Sequence, residues 1–321
     1  MNYCISNLEM YLPEKVITNK YLNETFGIDG NFLENKIGIK ERRIASENQT
    51  TSDLAFQSAT LLLDSCNTGR ESIDLLIVCT QNPDYKLPTT ACILQHKLKL
   101  SRSCMAFDIN LGCSGFVYSL VVAGSMVKSG IANKALIVMA DEYSKIIDYA
   151  DKNTASLFGD ASTAALIEKC DEGYGVISSN FGTDGSGAEL LIANNSGTCK
   201  SPEKNSFLYM NGREIFKFSI TEVPKSVEDL LAKSDLKKQD IKYFIFHQAN
   251  KYMLNEIKKK IGITDEQLAI HMEMYGNTVS SSIPIVLKNL RDTNKIEKGD
   301  LLVFSGFGVG LSWGSILYRE C

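Results

Sequence analysis

The chain has 321 residues, 44% of them hydrophobic, and a mean hydropathy of -0.08; it can bury two ordinary cores or one large fused one, as a soluble globular protein does. A formal net charge of -4 and a pI near 5.6 offer no basic field for nucleic acid, leaving local lysine clusters as meeting points for an acidic protein partner. Nine cysteines, odd in number and without CxxC spacing, exclude a disulfide framework and a zinc site and read as reduced thiols of a cytoplasmic protein.

The opening segment MNYCISNLEMYLPEK has no basic stretch followed by an apolar core, so no secretory signal is expected. Beyond it, a helix is predicted over 52–66, a strand over 73–80 (IDLLIVCT) and a helix over 88–98. Residues 109–127 carry no charge, yet Asn110, Ser114, Ser119, Ser125 and three glycines make them too polar for a membrane span; a buried central helix over 114–129 is expected. A strand at 135–140 (ALIVMA), a helix at 213–233 and a strand at 241–246 (IKYFIF) follow. Helices at 251–260 and 280–291 and a strand at 301–305 complete the pattern, and the class is α/β.

The spacing suggests a duplication. Thr80, Cys113 and Leu136 sit at a strand end, before a helix and at a strand start; His247, Asn277 and Leu301 hold the matching places at offsets 247−80 = 167, 277−113 = 164 and 301−136 = 165. The halves are drawn at 1–170, carrying the cysteine, and 171–321, carrying the histidine and asparagine. Equivalent loops of such halves meet in a crevice at the strand ends, where open α/β sheets take their ligands.

Cys113 lies in DINLGCSGFVYSLVVAG, between Gly112 and the small pair Ser114-Gly115 that opens the central helix. A helix N-terminus favours a thiolate, so a lowered thiol pKa is expected, and small neighbours leave room for a thioester carbonyl. Taken alone, Cys113 could equally be one more buried cysteine.

Of three histidines, His96 falls in a Leu/Lys-rich helix and His271 in an apparent short strand, whereas His247 opens the strand-to-helix turn His247-Gln248-Ala249-Asn250. Asn277, in Tyr275-Gly276-Asn277-Thr278, reads in isolation as a turn or cap residue; its offset from Cys113 gives it weight. An imidazole N–H and an Asn amide can together hold a thioester oxygen as it becomes an enolate, and loss of CO2 from a malonyl thioester creates that enolate. The carbanion would attack an acyl group carried on Cys113. Papain-like proteases share the order Cys, His, Asn, but the sequence around Cys113 lacks their local signature.

The segment Ser305-Gly306-Phe307-Gly308-Val309-Gly310-Leu311-Ser312-Trp313-Gly314 fits neither a phosphate loop nor a dinucleotide fingerprint. It suits a close backbone approach whose N–H groups join that of Cys113 in an oxyanion hole, or else a bulged pair of core strands.

Along essentially its whole length the chain resembles the ketoacyl-acyl carrier protein synthase III family of thiolase-fold enzymes. The resemblance is carried by YLPEKVITN, GIKERRIAS at 38–46, the Cys113 segment, FGDASTAALI at 158–167, NGREIFKFSI at 211–220, FHQAN at 246–250, YGNT at 275–278 and the glycine-rich end. It implies a five-layered αβαβα fold, a homodimer and a catalytic set matching Cys113, His247 and Asn277. Backbone N–H groups of Cys113 and Val309 would form the oxyanion hole. No metal or resident cofactor is implied; coenzyme A or acyl carrier protein thioesters are substrates, malonyl thioester among them.

Phe32 and Lys152 stand where relatives place a Trp and an Arg that sandwich the coenzyme A adenine, and Lys36 replaces another common Arg, which implies weaker adenine binding. Leu87 aligns with a residue, often Phe, that bounds the acyl pocket across the dimer and implies a roomier one. Gly212, Asn250 and Phe307 match substrate contacts, while Lys217, Lys251 and Lys258 form a candidate landing patch for an acidic carrier protein, the 258–260 run reading equally as a solvated face. Two alternatives accompany the condensing synthase: a specialised relative that passes its acyl group to an amine, alcohol or unusual carbanion, and a non-catalytic partner subunit.

Overall fold

In the computed structural model, which describes residues 2–202 and 204–321, the runs at 73–80 and 135–140 form the parallel strands Leu75–Cys79 and Lys134–Asp141. They belong to a five-stranded sheet in the order Asn2–Tyr11, Ala161–Cys170, Lys134–Asp141, Leu75–Cys79, Met105–Ile109. Its first two joints are antiparallel and its last two parallel. A second sheet repeats this order and sense over four strands: Gly175–Thr183, Ser312–Arg319, Leu301–Gly308, Tyr243–Phe246. In the fifth place a single parallel bridge, Phe244 to Leu268, replaces a full strand.

Leu75–Cys79 is buried at every residue because layers cover both faces, the reason it reads as an unbroken apolar run. Helices Gly115–Lys128 and Ser282–Asp292 fill the space between the sheets, where Phe116, Leu120, Ile283 and Leu287 share one apolar cluster with strands of both. Each such buried side chain contributes about 1.5–3 kcal/mol. Helices Thr51–Ser65 and Thr90–Lys97 cover the outer face of the first sheet, and Gly212–Lys233 and Lys251–Ile261 that of the second. The stack is αβαβα. Among the described residues no helix is long and apolar enough to cross a membrane.

Local signals set the helix ends. Thr50 and Asp53 form a reciprocal capping box before Thr51, and Gly262, at φ 73°, closes Lys251–Ile261. The predicted helices agree with these bounds to within two residues. Strand Ala161–Cys170 does not stand out as an apolar run, because its first five residues are Ala, Ser and Thr and its last three include Glu168 and Lys169; the small side chains let the layers close, with Ser162 Oγ 2.7 Å from Ser58 Oγ on the covering helix. The short strand expected at His271 is absent: this segment is held by the His271 N–H donating to Gln248 Oε1 at 3.0 Å.

Candidate active site

Turns at the strand ends of both sheets deliver three polar groups to one cavity. Cys113 immediately precedes the central helix, in a turn closed by the Gly115 N–H donating to Gly112 O at 2.7 Å. His247 follows Tyr243–Phe246 and its N–H donates to Ser305 O at 2.8 Å; buried Gln248 pins the turn by donating to Phe246 O at 2.7 Å and to Ala269 O. Asn277 is fixed by its N–H to Leu157 O at 2.8 Å, and its carbonyl accepts from Gly159 N–H at 3.0 Å. All three line a cavity of about 70 Å³ whose apolar wall includes Leu157, Phe158, Leu191, Met210, Ile215 and Met253.

The sequence suggested a thiol acidified by the helix N-terminus. The structure shows the reverse: burial first, and the Asp141 carboxylate second, push the Cys113 thiol up to about 12. Desolvation outweighs the partial charge of a helix end, so the resting nucleophile is a neutral thiol. Asp141, fully buried, accepts from Ser280 Oγ at 2.6 Å and Gln81 N–H at 2.9 Å, and burial lifts it to about 7. Its charge therefore opposes the thiolate increasingly as pH rises through 7. Asp141→Asn removes that charge, so the pH at which iodoacetamide alkylation of Cys113 accelerates is expected to fall; an unchanged or higher midpoint would refute the coupling.

His247 is neutral, since burial lowers it from 6.5 to about 3. By linkage this disfavours the folded state as pH falls from 6.5 towards 3, because the unfolded imidazole takes up a proton first. Its Nδ1 lies 2.8 Å from Ser282 Oγ, and that hydroxyl donates to Val279 O at 2.9 Å and accepts from Gln248 N–H at 3.3 Å. In this arrangement Nδ1 carries the proton and Nε2 keeps its lone pair.

Asn277 Oδ1 accepts from the Val279 N–H at 3.0 Å, and among the described residues its Nδ2 donors have no partner. Val279, whose N–H serves Asn277 and whose carbonyl accepts from Ser282, sits at φ 51°, a costly conformation for a β-branched residue. The three serines after it divide their work. Ser280 binds Asp141, Ser281 donates to Met139 O at 3.1 Å, and Ser282 holds the imidazole.

The glycine-rich end makes a close approach. A Cβ on Gly308 would lie 2.9 Å from Cys113 Cβ and 3.1 Å from its Sγ, so only glycine brings this backbone beside the sulfur. Among the described residues neither the Cys113 nor the Val309 N–H is engaged by a loop carbonyl, while Val309 O accepts from Ser312 Oγ at 2.8 Å.

Gly212, Asn250 and Phe307 also line the cavity. Phe307 sets its ring edge-on to His247 at 5.7 Å, and Asn250 caps Lys251–Ile261 through Oδ1 to the Met253 N–H at 2.8 Å. Phe32, Lys36 and Lys152 are exposed and outside the cavity lining, and Leu87 is 83% exposed, so within one chain it does not wall the site. Lys217 and Lys251 are exposed, whereas Lys258 is ion-paired with Asp265 and mostly packed, which removes it from a free basic patch. The sequence reading missed Gln81, Asp141, Val279 and the separate roles of the serines. It missed Ile215 and Ser219 too, although their helical spacing from Gly212 on one face was a readable signal. Among the described residues no group of three His, Cys, Asp or Glu side chains could hold a metal.

This stack, with a cysteine, an imidazole and an amide meeting at the strand ends, defines a thiolase-fold condensing enzyme, an acyltransferase. Family models described as 3-oxoacyl-(acyl-carrier-protein (ACP)) synthase III and its C-terminal part match residues 107–185 and 231–320. The chain is 35% identical to the beta-ketoacyl-(acyl-carrier-protein) synthase III of Oceanobacillus iheyensis over 99% of both chains. It is 37% identical to that of Caldanaerobacter subterraneus, over 96% of this chain and 95% of the relative. A crystal structure of a 3-oxoacyl-(acyl-carrier-protein) synthase III superposes with a TM-score of 0.97 at 38% identity, covering 99% of this chain and 100% of the other. The Thermus thermophilus synthase gives 0.92 at 37%, covering 99% of each. The chain belongs to the 3-oxoacyl-(acyl-carrier-protein) synthase III family.

Proposed function

We propose that the chain performs a decarboxylative Claisen condensation of an acyl thioester with malonyl-acyl carrier protein through an acyl-Cys113 intermediate. The observation that carries this is the sharing of one cavity by Cys113, His247 and Asn277, with Nε2 and Nδ2 unengaged among the described residues. Full-length likeness to synthases of this name outweighs transfer to an amine or alcohol.

In the first half-reaction the Cys113 thiol passes its proton to His247 Nε2 as the sulfur attacks the donor carbonyl, and the N–H groups of Cys113 and Val309 hold the oxyanion. Collapse expels the donor thiol, which takes the proton back, leaving an acyl thioester on Cys113 and a neutral imidazole. In the second, the imidazole, having exchanged its Nδ1 proton for one on Nε2 through water between the half-reactions, donates from Nε2 together with Asn277 Nδ2 to the malonyl thioester oxygen while CO2 leaves. The enolate carbon attacks the acyl group and expels the Cys113 thiolate, which takes a proton from water to restore the resting thiol.

The imidazole must thus accept at Nε2 first and donate from it later. Ser282 permits both, because its hydroxyl can accept from Nδ1–H or turn and donate to Nδ1. Ser282→Ala should slow acylation and decarboxylation together by about tenfold, with KM unchanged and Ser282→Thr restoring part of the rate. A loss of thermal stability with both rates intact would reduce Ser282 to a packing residue.

The halves 1–170 and 171–321 each supply one side of the site. A homodimer is supported by the edge strand Met105–Ile109, half-exposed along its length; Asp108 of this strand accepts from the Thr90 and Ala91 N–H groups at 2.7 Å, which sets the exposed Leu87 segment beside that edge. Lys217 and Lys251 would meet the carrier protein, and nine free thiols suit a cytoplasmic setting. The defining experiment supplies an acyl donor and malonyl-acyl carrier protein and follows the β-ketoacyl product by mass. Labelling of Cys113 without any condensation product would point to another acceptor.

A further inference from the structure

Three cysteines far apart in the sequence meet where Asn2–Tyr11 adjoins the end of Ser312–Arg319. Cys4 is buried in the apolar cluster between the sheets, and Cys170 and Cys321 pack against that cluster while only half-buried. Asn2 pairs with Cys170 and Cys4 with Glu168, so Cys4 and Cys170 are diagonal neighbours on one face. Such a diagonal spans about 7–8 Å between Cα atoms, too far for a disulfide without backbone movement. Cys321 is not bound by that register.

The surroundings of Cys321 favour a thiolate. The Tyr318 hydroxyl accepts from the Ile5 N–H at 3.0 Å, which leaves its own proton for the Cys321 sulfur 3.2 Å away. Arg291 donates to Ile5 O at 3.0 Å and pairs with Glu320 at 2.8 Å, so a guanidinium stands between the neighbours of both cysteines. The Cys4 thiol donating to it, with Tyr318 and Arg291, outweighs partial burial and Glu320 and holds the Cys321 thiol below the ordinary cysteine range. Cys4 moves the opposite way, first through that same hydrogen bond and then through burial. An acidic, half-exposed sulfur touching a buried thiol is the arrangement of an attacking and a resolving cysteine.

We propose that Cys321 and Cys4 form a thiol pair that a low-molecular-weight disulfide oxidises to a Cys4–Cys321 bond, fastening one strand of each sheet to the other. The Cys321 thiolate attacks one sulfur of the small disulfide and expels the other as a thiolate. The Cys4 sulfur then attacks Cys321 Sγ, and its proton leaves with the second small thiol; two protein thiols are oxidised and one disulfide is reduced to two thiols.

The test treats the full chain with glutathione disulfide at neutral pH and maps it by mass without reduction. A peptide containing Cys4 is expected to be joined to one containing Cys321, and the thermal midpoint to rise by about 3 °C or more. Cys4→Ser should stop at a glutathione adduct on Cys321 with no rise, whereas Cys170→Ser should still form the bond. Tyr318→Phe should slow iodoacetamide alkylation of Cys321 about threefold. If Cys4→Ser folds poorly, Cys321→Ser serves instead, and should show neither the bond nor an adduct on Cys4. A stable adduct on Cys321 in the wild type, a bond from Cys321 to Cys170, or an oxidised chain no more stable than the reduced one would overturn the proposal.

Discussion

Cys113→Ala is expected to abolish acyl transfer, lowering condensation by about 10⁴-fold or more, while malonyl thioester decarboxylation continues. The split follows from the geometry. The sulfur alone carries the acyl group, whereas the donors that stabilise the enolate, His247 and Asn277, come from other turns and keep their own supports in Ser282 and Val279. Intact mass should show no adduct with any donor, and CO2 release from malonyl-acyl carrier protein should persist. Condensation at the normal rate, or an adduct elsewhere on the chain, would remove Cys113 from the chemistry.

Asn277→Ala should do the opposite. Acylation of Cys113 needs the Cys113 and Val309 N–H groups and a proton acceptor, none of which is Asn277. Decarboxylation needs the Nδ2 donor, and loss of one preorganised oxyanion donor costs about 10²–10³ in rate. The expected outcome is therefore a chain that labels fully and stalls as acyl-enzyme, read by comparing the burst of labelling with the rate of CO2 release. Because the Asn277 backbone bonds to Leu157 and Gly159 survive the substitution, the fold should hold. Equal slowing of both half-reactions would mean that Asn277 orders the turn rather than stabilising the enolate.

Much of this frame was legible in the sequence because the parallel strands have both faces covered. Leu75–Cys79 and the start of Leu301–Gly308 are short runs of Leu, Ile, Val and Phe, and Thr50, Asp53 and Gly262 punctuate helices. Ala161–Cys170 escaped notice because close layers require small side chains, which carry no period. Within the site, Cys113, His247 and Asn277 could be singled out by their place at strand and helix junctions. The thiol's acidity could not: position before a helix says nothing of the desolvation or of Asp141, which reaches the site from a different strand. Ser280, Ser281 and Ser282 read as an undifferentiated helix start, yet each faces a different partner once the turn is folded. Val279 at φ 51° is the kind of departure no propensity would suggest, and its backbone makes hydrogen bonds to Asn277 and Ser282 there.

The serine run has one more consequence. Two of its hydroxyls grip groups from the cysteine-bearing portion of the chain and the third grips the imidazole, so a single short turn acts as a rivet through both sheets. Any slippage between the sheets draws the sulfur away from its proton acceptor before either core melts. Catalysis in this molecule is therefore a gauge of how well its two layers of strands stay in register with one another.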